Sequence, residues 1–294
     1  MRLDDYDNDI QVSDQRGQSF GGGGGLGGLL GLLPLLMGRK LGCGTIVLIA
    51  ILGFFIFSSG GLQLGGGGGG SAGSAQRGGT SLESSCNIDA VSKEACNTLS
   101  SLDNTWEQVL PGFRQPTLVF YSQRGQSGCG AAQSAMGPFY CPTDQGIYLD
   151  TDFFRQLDQQ MGAGGDFARR YVIAHEMGHH IQKLTGVAEE VRQRQARASQ
   201  EEGNALQVRM ELQADCYAGV WAGKNRDRLE AGDIEEGMTA AHAIGDDTLM
   251  KEAGRRPVES MFTHGTSEQR MRWLQRGLQT GDPQQCDTFA ARTL

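Results

Sequence analysis

The stretch YVIAHEMGHHIQKLTG, Tyr171 to Gly186, holds three of the five histidines of a 294-residue chain within six positions. Its centre, His175-Glu176-Met177-Gly178-His179, is H-E-x-x-H. On an α-helix, residues four apart lie about 40° round and about 6 Å along the axis, so two imidazoles converge on one ion. Glu176, offset by one position, can reach a water held by that ion without being a ligand itself. Phe167, Tyr171, Ala174, Gly178 and Ile181 form an apolar stripe, and His175 and His179 border it. The stretch therefore reads as a helix with one buried face and a metal-ligand pair at its edge. Gly178 costs such a helix roughly 1 kcal/mol relative to Ala, which makes sense where another backbone must come close. His180 points about 100° further round and is expected at the surface or in a subordinate role.

The third ligand must come from elsewhere. A metzincin would place Gly and His at positions where this chain has Gln182 and Thr185, which excludes that class. A gluzincin takes a Glu from a following helix. The segment MELQADCYAGVWAG supplies Glu211 and Asp215, again four apart, beside a stripe of Leu206, Met210, Ala214, Tyr217 and Trp221. Glu189, Glu190, Glu201 and Glu202 compete on spacing alone and read as a solvated face. Glu211 is the expected third ligand, and Asp215 the acceptor for a histidine N–H that fixes its tautomer. Two His and one Glu leave Zn2+ a position for water, which is the catalytic arrangement. Zinc brings the pKa of that water toward about 7, so Glu176 can take its proton near neutrality. Hydrolysis is the expected chemistry.

A donor for the developing oxyanion is sought in FTHGTSEQRMRWL. Thr266 to Gln269 is a T-x-x-Q capping box that opens a last helix. His264 sits just before that N-terminus and is the candidate donor, an ordinary loop histidine being the alternative. Arg270, one turn into the helix, is placed to anchor a carboxylate such as Asp215. His242 is expected at an interface or in solvent and is given no role.

Outward from these motifs the chain changes character. The run LGCGTIVLIAILGFFIF, Leu41 to Phe57, carries no charge. As a helix it would span about 25 Å, or about 36 Å if continued to Leu64, against a hydrocarbon core of about 30 Å. Residues 41–64 are therefore expected to form a single-pass transmembrane anchor. Arg39 and Lys40 at its near end orient it by the positive-inside tendency. Residues 1–40 are then a disordered, Gly-rich cytoplasmic tail, and residues 65–83 a flexible Gly/Ser-rich tether. Residues 84–294 form the extracytoplasmic domain, periplasmic or extracellular. Twenty-three of the 45 glycines lie between Gly21 and Gly79, so the ordered domain is expected beyond them. A net charge of −8 argues against a nucleic-acid partner.

Six of the seven cysteines lie beyond the anchor and none forms C-x-x-C, which favours disulfides over a cysteine zinc site. Of the pairings open to six cysteines, Cys86–Cys96, Cys129–Cys141 and Cys216–Cys286 is taken as the expectation. Strands are predicted at Thr117–Ser122 and Gly146–Asp150. Helices are predicted over 152–161, 166–185, 187–200, 204–223, 233–252 and 267–279. Strands first and helices later give an α+β domain, mostly helical with a small sheet.

Four segments, GPFYCPTDQGIYLD, YVIAHEMGHHIQ, RMELQADCYAGVWA and AIGDD followed by THGTSEQRMRW, together resemble the bacterial neutral zinc metallopeptidase family. The resemblance covers roughly three quarters of the chain. It implies a zincin-like fold behind one N-terminal anchor, zinc at His175, His179 and Glu211, and Glu176 as the catalytic residue. In zincins the strand before the active-site helix offers an edge to an extended peptide, which here points to Ile147, Tyr148 and Leu149. The expected function is a membrane-anchored, extracytoplasmic zinc endopeptidase acting on protein or peptide substrates. The competing reading is a catalytically silent, zinc-dependent envelope scaffold. Glu176 favours the enzyme, because a mere binder needs only the ligands.

Overall fold

The computed structural model describes residues 1–18, 81–153 and 165–294. The expected anchor at 41–64, nearly all of the tether at 65–83 and the Gly-rich part of the tail lie outside those residues. So does the predicted helix at 152–161 beyond Phe153. Among the described residues no helix is long and apolar enough to cross a membrane.

The fold is a helix-rich α+β arrangement. Its strands are β1 (Gln11–Asp14), β2 (Thr117–Tyr121), β3 (Arg124–Ser127), β4 (Gly130–Gln133), β5 (Phe139–Cys141) and β6 (Gly146–Asp150). Its α-helices are α1 (Leu82–Cys86), α2 (Ala90–Val109), α3 (Asp166–Leu184), α4 (Val187–Gln195), α5 (Gln200–Lys224), α6 (Asp233–Ala243), α7 (Asp246–Glu252) and α8 (Ser267–Thr280).

TLVFY and GIYLD become strands because β-branched and aromatic residues suit a pleated surface. They pair in parallel, Leu118 opposite Ile147 and Phe120 opposite Leu149. Both faces are covered, which is why the runs are continuously apolar and do not alternate. The sheet order is β1-β2-β6-β5, with β5 antiparallel to β6. A separate hairpin of β3 and β4 is tied to β5 by the Cys129–Cys141 disulfide. All three expected disulfides are present.

Residues 1–18 correct the expectation of a disordered tail. β1 pairs in parallel with β2, from Gln11 opposite Thr117 to Asp14 opposite Phe120. Met1 and Ile10 are buried in the main core at 2% and 5% exposure. Asp14, itself buried, holds Arg16 at 2.5 Å, and the Arg16 guanidinium lies 4.6 Å over the Phe120 ring. Arg16 also donates to Ser92 Oγ at 2.7 Å and to the Ser85 carbonyl at 2.9 Å. Asp7 accepts from Ser100 and Asn104 of α2, both at 2.8 Å. Asp5 and Asp7 thus reach α2 and Asp4 reaches Arg228, a pattern that composition alone misreads as a solvated tail.

Helices α3, α5 and α8 form the layer that carries the site. A Cβ on Gly178 of α3 would stand 2.8 Å from the Ala214 Cα of α5, so the glycine is where the two backbones cross. Gly219 of α5 and Gly277 of α8 do the same for the second crossing. A Cβ on Gly219 would overlap the Leu274 carbonyl, and one on Gly277 the Cys216 carbonyl. Thr266 and Gln269 form the predicted capping box of α8, and Ser199 and Glu202 an equivalent one for α5.

Deleting residues 1–14 should expose the β2 edge and remove two buried apolar side chains, at about 1.5–3 kcal/mol each. A loss of roughly 3–6 kcal/mol in urea unfolding is expected; an unchanged unfolding midpoint would return these residues to the status of a tail.

Candidate metal centre

α3 begins after Gly165 with Asp166 in its first turn, favourable to the helix dipole, and buries the predicted stripe against α5. His175 and Glu176 are buried at 6% and 7% exposure, and His179 lies at the rim. From α5 come Glu211 at 4% and Asp215 at 0%. The structure brings together His175, His179 and Glu211: one ligand atom from each lies within 4.8 Å of the others. His175 Nε2 stands 3.1 Å from Glu211 Oε2, and His179 Nε2 stands 3.6 Å from Glu211 Oε1. The two imidazoles meet edge to face, centroids 4.8 Å apart.

The far side of each ring decides what the near side can do. His175 Nδ1 lies 2.7 Å from Asp215 Oδ1, and a carboxylate oxygen can only accept. His179 Nδ1 lies 2.9 Å from Gln182 Oε1. The Gln182 amide is held that way round because its Nε2 donates to the Met210 carbonyl at 2.7 Å. Both Nδ1 atoms therefore carry a proton, and it is the Nε2 atom of each ring that faces Glu211 and would give up its own proton to bind a metal. Two nitrogen donors and one carboxylate, with an acceptor behind each imidazole, fit the needs of a zinc ion. Gln182 enters the sequence reading only as a position that rules out another class. Its place three residues after His179, on the same helix face, is the signal for its role.

Asp215 is the most heavily bonded group at the centre. Besides His175 it accepts from Tyr171 Oη at 2.6 Å and from Arg270 through Nε and Nη2, both at 2.9 Å. Burial alone would raise its carboxyl, but Arg270 and His175 outweigh that and pull it down to about 2. Burial likewise pulls His175 down, while Asp215 and Glu211 overcome this and push it up to about 10. Burial would raise Glu211 too; the charges of His179 and His264 outweigh it and hold Glu211 well below the usual carboxylate range. The pocket is built around positive charge, and protons on imidazoles supply it where a divalent cation would.

Glu176 behaves differently. Burial raises its carboxyl, and His179 and His175 only partly offset this. The backbone of Tyr140 on β5 lies near it and lowers it a little further. A carboxyl poised upward beside two metal-ligand imidazoles is suited to accept a proton.

His264 lies on the loop before α8, about a quarter exposed. Asp246 Oδ2 accepts the backbone N–H groups of Thr263, His264 and Gly265 at 2.7, 2.7 and 3.1 Å, which fixes that loop. Nδ1 of His264 faces Thr263 Oγ1 and Asp246. Among the described residues its Nε2 has no partner. Burial lowers His264, but Glu211 and Asp246 raise it overall, so the loop brings it within electrostatic reach of the metal-ligand carboxylate.

Two expectations are corrected. His180 is fully buried, not at the surface. Its Nε2 donates to the Arg114 carbonyl at 2.6 Å and its Nδ1 accepts Tyr140 Oη at 3.0 Å. Ile147 and Tyr148 are not an open edge, being paired by β2 on one side and β5 on the other; Leu149 pairs with β2 just past the end of the β5 ladder, and all three side chains are buried. The edge strand next to Glu176 is β5. His242 is exposed, as expected.

A second acidic group, Asp166, Asp233 and Glu236, also clusters within 4.8 Å. The Met1 ammonium lies 2.6 Å from Asp233, Arg170 lies 2.6 Å from Asp166, and Glu236 accepts the Phe167 N–H. Its cations are already supplied by the protein.

Asp215→Asn should weaken zinc binding about 10–100-fold in chelator competition, since it disturbs the acceptor behind His175. Unaltered affinity would reduce Asp215 to a packing role. His180 gives a pH effect of definite sign. Burial lowers it to about 4, below its ordinary value of about 6.5. The fold then binds fewer protons than the unfolded chain, so this contribution is whole above pH about 6.5 and lost as pH falls toward 4. His180→Gln should flatten that part of the stability–pH curve, by roughly 2–3 kcal/mol; a curve that keeps its slope would refute the assignment.

The sequence profile of one family, described as "Putative neutral zinc metallopeptidase", matches residues 1–289. The chain is 46% identical over 254 residues to the uncharacterized protein YpfJ of Escherichia coli K12, covering 84% of this chain and 86% of that one. It is 43% identical over 210 residues to the uncharacterized protein Rv2575 of Mycobacterium tuberculosis H37Rv, covering 67% of this chain and 70% of that one. No solved structure matches it. With a profile match over nearly its whole length and relatives this similar, the chain belongs to the family described as "Putative neutral zinc metallopeptidase".

Proposed function

We propose that this protein is a zinc-dependent peptidase whose metal is held by His175, His179 and Glu211 and whose general base is Glu176. The observation that carries the reading is the convergence of two imidazole Nε2 atoms and one carboxylate, with a buried, upward-shifted Glu176 beside them. Zinc, when bound, acts as a Lewis acid toward a carbonyl and lowers the pKa of water. The chain's own groups do the rest. Glu176 takes a proton from the attacking water and returns it to the leaving amine. His264, with Nε2 free, donates to the oxygen on which negative charge develops. Asp215, Tyr171 and Arg270 hold the His175 ring.

An extended protein or peptide segment is the substrate, and β5 supplies its docking edge, since β6 has none to spare. The three disulfides suit an oxidising compartment outside the cytosol. A silent binding module would have no use for Glu176, buried beside the two imidazoles.

The test is the zinc-loaded full chain against unfolded-protein and peptide substrates. Glu176→Gln should keep zinc and lower kcat about 10²–10⁴-fold, the range of general acid–base catalysis. A chelator should abolish turnover and excess zinc restore it. Activity that survives in Glu176→Gln would sink the proposed mechanism.

A further inference from the structure

The segment expected on one side of a membrane is a strand in the sheet of the domain expected on the other. β1 and β2 pair over four residues in register. Neighbouring strands in a sheet lie about 4.8 Å apart, whereas a bilayer's hydrocarbon core is about 30 Å thick. No backbone ladder can bridge that. The contact is not a marginal edge either. Ile10 is in the main core, Gln15 exchanges 2.8 Å hydrogen bonds with the backbone of Gln126 in both directions, and the Gln15 N–H donates to the Phe120 carbonyl at 2.8 Å. Arg16 reaches into a socket made by Phe120, Ser85 and Ser92, next to the Cys86–Cys96 disulfide.

Between β1 and α1 the chain carries the uncharged run Leu41–Phe57. If that run crossed a bilayer once and nothing else did, β1 and β2 would face opposite compartments. We infer that residues 1–18 and residues 81–294 occupy the same side of any membrane this chain meets, so that the chain between them crosses an even number of times or not at all. The arrangement with a cytoplasmic N-terminus and an external domain is then excluded on connectivity alone. Arg39 and Lys40 lose their force as an orientation signal for that arrangement, because the strand ladder overrides a bias that counts only flanking charge. The disulfides add a direction: a compartment that oxidises Cys86 and Cys96 is also the one in which β1 docks against them. This inference is independent of the metal chemistry and would survive loss of the peptidase reading.

The experiment uses the full chain in intact cells, with Cys43→Ser to remove the one cysteine outside the three disulfides. Asn8→Cys and Arg292→Cys are introduced singly; both positions are exposed. A membrane-impermeant maleimide is applied to intact and to opened cells, and each signal is normalised to labelling in urea. The two positions should label together, both in intact cells or both only after opening, agreeing within about twofold. One position labelled in intact cells and the other only after opening would overturn the inference, and with it the β1–β2 pairing in the cell.

Discussion

The carboxylate of Asp215 is the group on which the architecture of the centre turns. It has no exposure, and it is shared by three helices: its own α5, α3 through Tyr171 and His175, and α8 through Arg270. Removing one member of such a buried pair costs about 3–5 kcal/mol, because the other charge is left without water or partner. The same contacts that close the helical layer also dictate which nitrogen of His175 carries the proton. Stability and chemistry are therefore carried by one set of hydrogen bonds.

The two ligand imidazoles are held by unlike devices. His175 has a charged acceptor fixed by a bidentate arginine. His179 has a neutral amide fixed by the backbone of Met210. A charged acceptor makes its imidazole the more basic ligand, so the two nitrogens are electronically inequivalent even though the helix presents them alike. Glu176 stands next to both, buried, and burial raises its carboxyl more than the two imidazoles lower it. The two imidazoles are thus oriented from α5 and α8 and from their own helix, while Glu176 lies on the side of α3 toward β5.

Much of this was legible in the sequence because the helices that build the site keep a 3.6-residue stripe with few interruptions. The His175/His179 and Glu211/Asp215 pairs, the Arg270 anchor and the Thr266 cap all follow from spacing; the cysteine pairing does not, since six cysteines leave fifteen pairings open. What escaped did so for identifiable reasons. α2 buries Thr98, Ser100, Asp103 and Thr105 along with Leu99, Leu102 and Trp106, so polar residues blur its apolar face. β1 has four residues and one large apolar side chain, and its place comes from Arg16 and Gln15 reaching distant partners, which no local pattern announces. β5 is three residues long, and its antiparallel pairing converts β6 from an edge into an interior strand. His180 was read by angle from the metal stripe; the loop at Arg114 covers that side of the helix.

The glycines at the α5–α8 crossing carry a further implication. Gly219 lies one turn beyond Asp215, and Gly277 two turns beyond Arg270, each on the same face as its charged neighbour. Two missing methyl groups thus set the interaxial spacing at which a short acidic side chain and a guanidinium can grip in fork geometry. The spacing of the Asp215–Arg270 pair behind His175 is thus gauged, through a lever of rigid helix, by hydrogen atoms that touch neither residue.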